Sequence, residues 1–114
     1  MHELSLINSL LKIIDDYAAA EGFNQVHSLK LSFGRLSCLD RQSLEFAFSV
    51  QSVGTKAEGA TLEFDILPAR IHCLNCDRES AMDGDWDHCP ACQSPDVMLT
   101  GGTEELKLLE MDVD

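Results

Sequence analysis

Apolar side chains recur at helical spacing in the first part of the chain, between residues 4 and 18. Side chains three and four positions apart lie on one face of an α-helix, so this pattern predicts an amphipathic helix that buries one face on a sheet. Gly22 follows the stripe and predicts the end of the helix, because glycine readily adopts the left-handed conformation that closes helices. The apolar stripe consists of Leu4, Leu6, Ile7, Leu10, Leu11, Ile13, Ile14, Tyr17 and Ala18.

From Val26 the period of the apolar positions changes to two. Alternation of this kind predicts a half-buried strand, and Gly34 predicts its end. The apolar residues that alternate with polar ones are Leu29, Leu31 and Phe33.

A second helix and a second strand are predicted after Gly34. Asp40 is the expected N-cap of a helix that continues to about Val53, because its carboxylate can accept a hydrogen bond from a free N–H of the first turn. The residues on related faces of this helix are Leu44, Ala47, Phe48 and Gln51. Residues 61–67 alternate again, and Pro68 predicts the end of that strand because proline cannot donate to a sheet ladder.

The apolar segment of residues 105–113 predicts a last strand. Such a strand is unstable alone, so it is expected to return and pair with the strands around Leu31 and Phe64. Gly101 and Gly102 are expected to form a flexible joint before it. The predicted fold class is therefore α+β, a small mixed sheet with two helices that carries an inserted four-cysteine zinc-ribbon module. The predicted domains are an α/β domain of residues 1–69 plus 103–114 and a module of residues 70–102.

Two cysteine pairs, Cys73-Leu-Asn-Cys76 and Cys89-Pro-Ala-Cys92, carry the clearest chemical signal in the chain. Two Cys-x-x-Cys knuckles joined by a short loop can place four thiolates at the corners of a tetrahedron, which is the closed geometry of a structural zinc site. The segment around them has few large apolar residues, so the metal is expected to take the place of a core. Disulfides and a redox pair are the alternative interpretations.

Composition narrows the choice of compartment and partner. The N-terminus shows no basic region followed by an apolar one, and no stretch reaches the ~18 apolar residues of a membrane span, so no membrane association is expected. A cytoplasmic location is expected, where thiols stay reduced and paired cysteines favour metal over disulfide. The formal net charge of −12 opposes binding to nucleic acid, whose phosphates need Lys and Arg, but is compatible with a basic partner protein.

The opening residues Met1-His2-Glu3 are the second chemical feature. A free α-amino group, a deprotonated backbone amide and an imidazole can form chelate rings around one ion, and nitrogen donors in a plane suit Ni(II) or Cu(II). Taken alone, a histidine near a terminus is more often an ordinary exposed side chain.

With both ends considered, the chain resembles the HypA/HybF family of hydrogenase maturation nickel chaperones over nearly its whole length. The two knuckles and the apolar terminal strand are part of this resemblance. Its other parts are Met1-His2-Glu3-Leu4-Ser5-Leu6, Gly34-Arg35-Leu36-Ser37, Gly54-Thr55 and Glu58-Gly59-Ala60.

The resemblance implies a small metallochaperone without catalytic activity. Nickel, the cargo, would be held by the Met1 amine, the backbone nitrogens of His2 and Glu3, and the His2 imidazole. The nickel would pass to the large subunit of a [NiFe]-hydrogenase with the help of a HypB-type GTPase, and some members also serve urease. Residues 1–69 plus 103–114 would be the nickel-binding domain. The structural zinc would be held by Cys73, Cys76, Cys89 and Cys92.

Two other functional classes stay open at this point. An enzyme is disfavoured because the chain shows no nucleophile–His–acid arrangement or phosphate loop, and four cysteines leave no open zinc position. A zinc-ribbon adaptor that binds only a protein partner would lack a second metal at His2. The exposed edge of a short sheet permits a homodimer. Cys38 is expected to be a small buried residue, as free cysteines commonly are.

Overall fold

The computed structural model of the chain describes residues 2–82 and 86–114, and for His2 it describes the backbone alone. Among these residues, neither helix combines the length and the apolarity that crossing a membrane requires. The chain divides into two compact units, which we call the helical unit (residues 1–32, 39–65 and 106–114) and the cysteine unit (residues 33–38 and 66–105). The elements in chain order are α1 (His2–Glu21), β1 (Val26–Gly34), α2 (Arg41–Gln51), β2 (Thr61–Leu67), β3 (Ala69–Cys73), β4 (Glu79–Met82), β5 (Val97–Gly101) and β6 (Lys107–Val113).

Helix α1 supplies one side of the core of the helical unit. It ends where the sequence predicts, because Gly22 adopts φ +81° and its N–H donates to the Ala18 carbonyl at 2.8 Å. Ile13 and Tyr17 lie at the edge of the apolar stripe and are 46% and 47% exposed. The buried residues of the helix are Ile7, Leu10, Leu11, Ile14 and Ala18.

The sheet of the helical unit has the order β2-β1-β6, with β1 in the centre. The predicted return of the last strand is confirmed in part: β6 pairs antiparallel with β1, and Leu108 lies opposite Leu31. The expected pairing with the strand of Phe64 is wrong, because β2 lies on the other side of β1. Two bulges interrupt the ladder, because His27 on β1 and Leu109 on β6 are each one residue more than the partner strand supplies. The bulge at Leu109 shifts the alternation of β6, so Leu108 and Met111 are half-buried while Leu109 is exposed.

Helix α2 begins as the sequence predicts and ends two residues earlier than expected. The Asp40 carboxylate accepts the N–H of Ser43 at 3.0 Å, which is the N-cap interaction. The Ser52 N–H donates to the Phe48 carbonyl and closes the helix after Gln51. The core-facing residues of this helix are Leu44, Ala47 and Phe48.

The cysteine unit has a sheet of its own, with the order β4-β3-β5 and antiparallel pairing on both sides of β3. An apolar cluster of this unit contains the buried residues Ala69, Ile71 and Met82, and Leu36, Val97 and Leu99 pack against them. The expectation that metal stands in for a core is therefore corrected, since a small apolar cluster supports the site. The predicted α+β class, with two helices, small sheets and four clustered cysteines, is confirmed.

Residues 33–38 belong to the cysteine unit because they hydrogen-bond to its chain. The Gly34 N–H donates to the Glu104 carbonyl at 2.8 Å, and the Leu36 N–H donates to the Gly102 carbonyl at 2.6 Å. Gly102 is buried, and a Cβ on it would lie 2.7 Å from the Ala69 Cα. The expected flexible joint is therefore wrong: Gly101 ends β5, and Gly102 is a glycine that close backbone packing requires.

The expectation that Cys38 is buried is also wrong. Cys38 is exposed and has φ +67°, in the left-handed region of backbone conformation. It lies in the connection between β1 and α2, where the alternation that buries Phe33 has ended. The sequence offered no period from which to place its side chain.

Candidate metal centre

The first cysteine knuckle is a tight turn at the end of β3. The Asp77 N–H donates to the Cys73 carbonyl at 2.9 Å, and the Cys73 N–H donates to the Arg78 carbonyl at 2.9 Å. Asp77 closes the turn in the left-handed conformation, with φ +65°. The N–H groups of Asn75 and Cys76 each lie 3.4 Å from the Cys73 sulfur, so the turn directs two backbone donors at one ligand atom.

The second knuckle repeats this geometry. The Gln93 N–H donates to the Cys89 carbonyl at 2.8 Å, and the Cys89 N–H donates to the Ser94 carbonyl at 2.9 Å. Gln93 has φ +64°, nearly the same value as its counterpart in the first knuckle. Pro90 has no N–H, and the Ala91 N–H lies 3.4 Å from the Cys89 sulfur. Two copies of one turn therefore face each other.

The four sulfur atoms form one cluster. They lie within 4.8 Å of one another, and Cys73–Cys92 and Cys76–Cys89 are both 3.6 Å apart. A disulfide would need about 2.05 Å, so the four thiols are free. Tetrahedral coordination with metal–sulfur bonds of about 2.3 Å places the sulfurs about 3.8 Å apart, which the cluster closely matches. Among the described side chains, those of residues 3–82 and 86–114, no other group of three or more metal-ligating residues converges in this way.

Hydrogen bonding and burial give Cys76, Cys89 and Cys92 different proton affinities. The Asn75 side-chain amide, 3.6 Å from the Cys92 sulfur, is the largest cause that lowers the pKa of Cys92 to about 6. The backbone N–H of Cys92 likewise lowers the pKa of Cys89. At Cys76 a backbone hydrogen bond with Arg78 acts to lower the pKa, but burial and the neighbouring thiols raise it to about 12. A metal ion must therefore displace a proton from Cys76, since thiolates are the ligands.

The two histidines next to ligand cysteines are engaged with carboxylates. His72 Nε2 lies 2.8 Å from Asp77 Oδ1, and His88 Nδ1 lies 2.8 Å from Asp87 Oδ1. The hydrogen bond from His88 lowers the pKa of Asp87. Neither imidazole is part of the sulfur cluster, so the candidate donor set consists of four cysteines.

The predicted nickel ligands lie at the start of α1. Met1 is outside the described residues, and so is the side chain of His2. Glu3 is half-buried in the first turn of α1, and it lines a recess together with Asp40 of α2. The nickel ligand set stays a prediction.

Two features of the metal centre were missed by sequence reasoning. One is β3, which ends in Cys73 and holds it in the core; the alternation of Ala69 and Ile71 with polar residues could have revealed this strand. The other is Asn75, whose amide reaches across to the sulfur of the second knuckle. No local sequence pattern predicts that contact, because it joins two separate turns.

Comparisons with known proteins agree with this picture along the whole chain. The family model described as "Hydrogenase/urease nickel incorporation, metallochaperone, hypA" matches residues 1–113. A hydrogenase maturation factor HypA from Syntrophus aciditrophicus (strain SB) is 57% identical over 114 residues, covering 100% of both chains. The proteins of the same name from Acidithiobacillus ferrooxidans and Cereibacter sphaeroides are 37% identical over 114 residues and 39% identical over 113 residues, covering 100% and 99% of both chains.

Two solved structures share the fold. The solution structure of the Ni metallochaperone HypA from Helicobacter pylori has a TM-score of 0.65 at 20% identity, covering 97% of this chain and 96% of that one. A second solution structure, of HypA protein, has a TM-score of 0.71 at 23% identity, covering 99% and 96%. At these identities the likeness supports the architecture alone.

Proposed function

Since this chain belongs to the HypA family of nickel metallochaperones for hydrogenase maturation, we propose that it binds Ni(II) at its N-terminus and delivers it to the large subunit of a [NiFe]-hydrogenase. The observation that carries the proposal is the match of the nickel-incorporation family over residues 1–113. The nickel-binding domain is proposed to be residues 1–69 plus 103–114, and the zinc module residues 70–102.

The proposed nickel ligands are the Met1 amine, the backbone nitrogens of His2 and Glu3, and the His2 imidazole. The position of α1 supports this set, because the helix begins at His2 and the first N–H groups of a helix have no intrahelical acceptor. Amides of the first turn can therefore lose their protons to a metal without breaking helical hydrogen bonds. Planar nitrogen donors suit Ni(II), as they suit Cu(II), and acid weakens binding by protonating the amine and imidazole.

The metal proposed for the cysteine cluster is structural zinc, held by Cys73, Cys76, Cys89 and Cys92. The fit rests on four thiols whose sulfurs lie within 4.8 Å of one another. Four thiolates leave no open coordination position, so zinc supplies folding energy in the cysteine unit and takes no part in chemistry on a substrate. Nickel and zinc then use different donor sets, nitrogen for the cargo and sulfur for the resident ion.

The proposed partners are a HypB-type GTPase and the hydrogenase large subunit, with urease maturation as a further destination of the nickel. The protein acts as a carrier and not as an enzyme, in the cytoplasm, where its thiols stay reduced. The net charge of −12 disfavours a nucleic-acid partner. A homodimer through a sheet edge is compatible with this role.

A nickel titration of untagged protein, with Met1 intact and zinc content measured in parallel, tests the binding step. We expect one zinc per chain, one nickel site in the wild-type protein, and loss of that site in His2→Ala. His27→Ala is the matched control, because His27 is an exposed histidine on β1 and should leave the titration unchanged. Nickel binding that survives His2→Ala would refute the proposed ligand set. One zinc and no nickel site in the wild-type protein would leave a zinc-ribbon adaptor.

Two further variants sharpen the result. Glu3→Gln keeps the backbone nitrogen and removes the carboxylate, so it should retain the nickel site if only backbone donors act at that position. An N-terminal extension removes the Met1 amine from the site and should abolish planar nitrogen coordination. Retained nickel affinity in the extended protein would contradict the role of the amine.

The delivery step needs a separate measurement. Nickel-loaded protein is mixed with nickel-free hydrogenase large subunit, with and without the GTPase, and nickel on the large subunit is followed with time. We expect transfer from the wild-type protein that exceeds transfer from free nickel in the presence of a chelator. Equal rates from both sources would show that the chain binds nickel without delivering it.

A further inference from the structure

Helix α2 carries an apolar surface that faces away from the core. Phe46 is 69% exposed and Val50 is 55% exposed, and they are one helical turn apart. Val53, three residues farther on, is 66% exposed. We call these three residues the outer ridge. Phe46 and Val50, at positions i and i+4 of α2, form an apolar stripe on which a second helix can pack, and Val53 lies in the turn that follows Gln51.

The residues of the outer ridge do not belong to the core. The opposite side of α2 is fully occupied, because Leu44, Ala47 and Phe48 are at most 4% exposed. Large apolar residues exposed in a row, with polar residues around them, commonly mark an interaction site. The charged and apolar residues that border the ridge determine which class of partner it can bind.

Two recesses border the outer ridge, both within the helical unit. Phe46 lines the first, of about 280 Å³, together with Leu4, Ala47, Glu3 and Asp40. Its walls include apolar side chains at one end of the ridge, next to carboxylates.

The second recess, of about 640 Å³, runs along α2 from Arg41 to Val53, beside the ridge. Val53 lines it with Leu62, and the carboxylates of Glu45 and Glu58 also line it. A partner side chain that enters either recess thus meets apolar surface and negative charge together.

The charges around the ridge have one sign once internal pairing is considered. Arg41, which lines the second recess, is already paired with Glu45 at 2.9 Å and lies 5.5 Å from the centre of the Phe64 ring. Glu3, Asp40 and Glu58 bring further negative charge to the borders. The whole chain has 20 acidic and 8 basic residues, so long-range attraction also favours a positive partner.

We propose that the outer ridge is a docking surface for a basic amphipathic helix of a partner protein. The apolar side of that helix packs on Phe46, Val50 and Val53, and its Lys and Arg side chains reach the carboxylates that border the ridge. A second copy of this chain is a poorer occupant, because a symmetric contact would bring the same acidic borders together.

A synthetic helical peptide serves as the probe. It has three heptads with Leu at a and d and Lys at e and g, and the control peptide has Glu at e and g. Binding of each labelled peptide is measured by fluorescence anisotropy with wild-type protein and with a Phe46→Ser, Val50→Ser double variant. Leu109→Ser is the matched control, since Leu109 is an exposed apolar residue on β6, 41% exposed. Nickel takes no part in the assay, so its outcome is independent of the proposed nickel site.

The Lys peptide is expected to bind the wild-type protein and Leu109→Ser equally, and the double variant at least tenfold more weakly. The Glu peptide should not bind. Glu3→Gln should weaken binding of the Lys peptide several-fold, because it removes one carboxylate and leaves the core unchanged. Equal binding by the double variant, or equal affinity for both peptides, would overturn the proposal. Sedimentation equilibrium tests whether a second copy of this chain occupies the ridge. A dimer formed by the wild-type protein but not by the double variant would assign the ridge to a second copy and overturn the proposal.

Discussion

Replacing Gly34 with alanine tests the close approach that joins residues 33–38 to the rest of the cysteine unit. A Cβ at Gly34 would lie 2.6 Å from the Glu104 nitrogen and closer still to the Gly102 carbonyl. Carbon atoms normally pack at about 3.5 Å, so one strand of backbone must move by roughly 1 Å. Both obstacles are backbone atoms, and no side-chain rotation can relieve the clash.

The cost of Gly34→Ala has two parts. Overpacking against a rigid neighbour destabilises by about 1–3 kcal/mol. The movement also weakens two backbone hydrogen bonds, from the Gly34 N–H to Glu104 at 2.8 Å and from the Leu36 N–H to Gly102 at 2.6 Å. Each contributes about 1 kcal/mol, so we expect a total loss of about 3 kcal/mol.

Urea unfolding of zinc-loaded protein, followed by the fluorescence of Trp86, measures this loss. Trp86 is the single tryptophan of the chain and belongs to the cysteine unit, so its signal reports on that unit. A loss of this size lowers the unfolding midpoint by about 2 M urea for a slope of ~1.5 kcal/mol per M.

Gly101→Ala is the control for Gly34→Ala. A Cβ at Gly101 meets only the flexible Arg70 side chain, at 3.3 Å, and Gly101 lies in the same unit. We expect its midpoint to stay near that of the wild-type protein. If Gly34→Ala unfolds at the same urea concentration as Gly101→Ala, the inferred backbone contact is wrong.

Three further predictions concern the metal centre and the end of the chain. Gln93→Gly relieves a left-handed residue at φ +64° and should stabilise the cysteine unit by up to about 1 kcal/mol, since glycine adopts this conformation without strain; an unchanged urea midpoint would contradict it. Zinc affinity should fall with decreasing pH, and more steeply below about pH 6, because a proton on Cys92 must then be displaced in addition to the one that Cys76 keeps. Chelator competition at a series of pH values checks this, and a slope that does not change near pH 6 would count against it. The Asp114 carboxylate accepts the backbone N–H groups of residues 24–25 at 3.1 and 3.2 Å, which lowers its pKa. That contribution is present above about pH 4 and is lost as the pH falls through the lowered pKa, so Asp114→Asn should reduce the thermal midpoint at neutral pH and converge with the wild-type protein in acid.

The sequence by itself determined the elements whose signals are local. The apolar period of residues 4–18 predicts α1. Gly22 predicts where the helix ends, because a helix end depends only on the few residues around it. The β1 strand has the predicted bounds for the same reason, and Asp40 caps α2 through a contact with Ser43, three residues away. Such contacts depend on residues within one or two turns, so the order of residue types along the chain is enough to predict them.

The four-cysteine cluster was also predictable, but only as a set. Two Cys-x-x-Cys pairs indicate two knuckles, and two knuckles at this separation indicate one shared site. The sequence says nothing of how the thiols differ. The low pKa of Cys92 depends on an amide from Asn75 in the other knuckle, and the high pKa of Cys76 depends on burial and on its thiol neighbours.

Tertiary structure alone decided the features that join distant parts of the chain. The bulge at Leu109 reverses which residues of β6 face the core, and it exists only relative to β1. Gly102 reads as a flexible linker along the chain but is a packed contact in space, because the backbones of Gly34 and Ala69 approach it. Likewise, α2 has apolar residues on more than one face, and only its packing within the helical unit, where it contacts α1, leaves Phe46 in solvent. Local periodicity shows which residue types alternate along the chain. Close approach between separate segments depends instead on the path of the whole backbone.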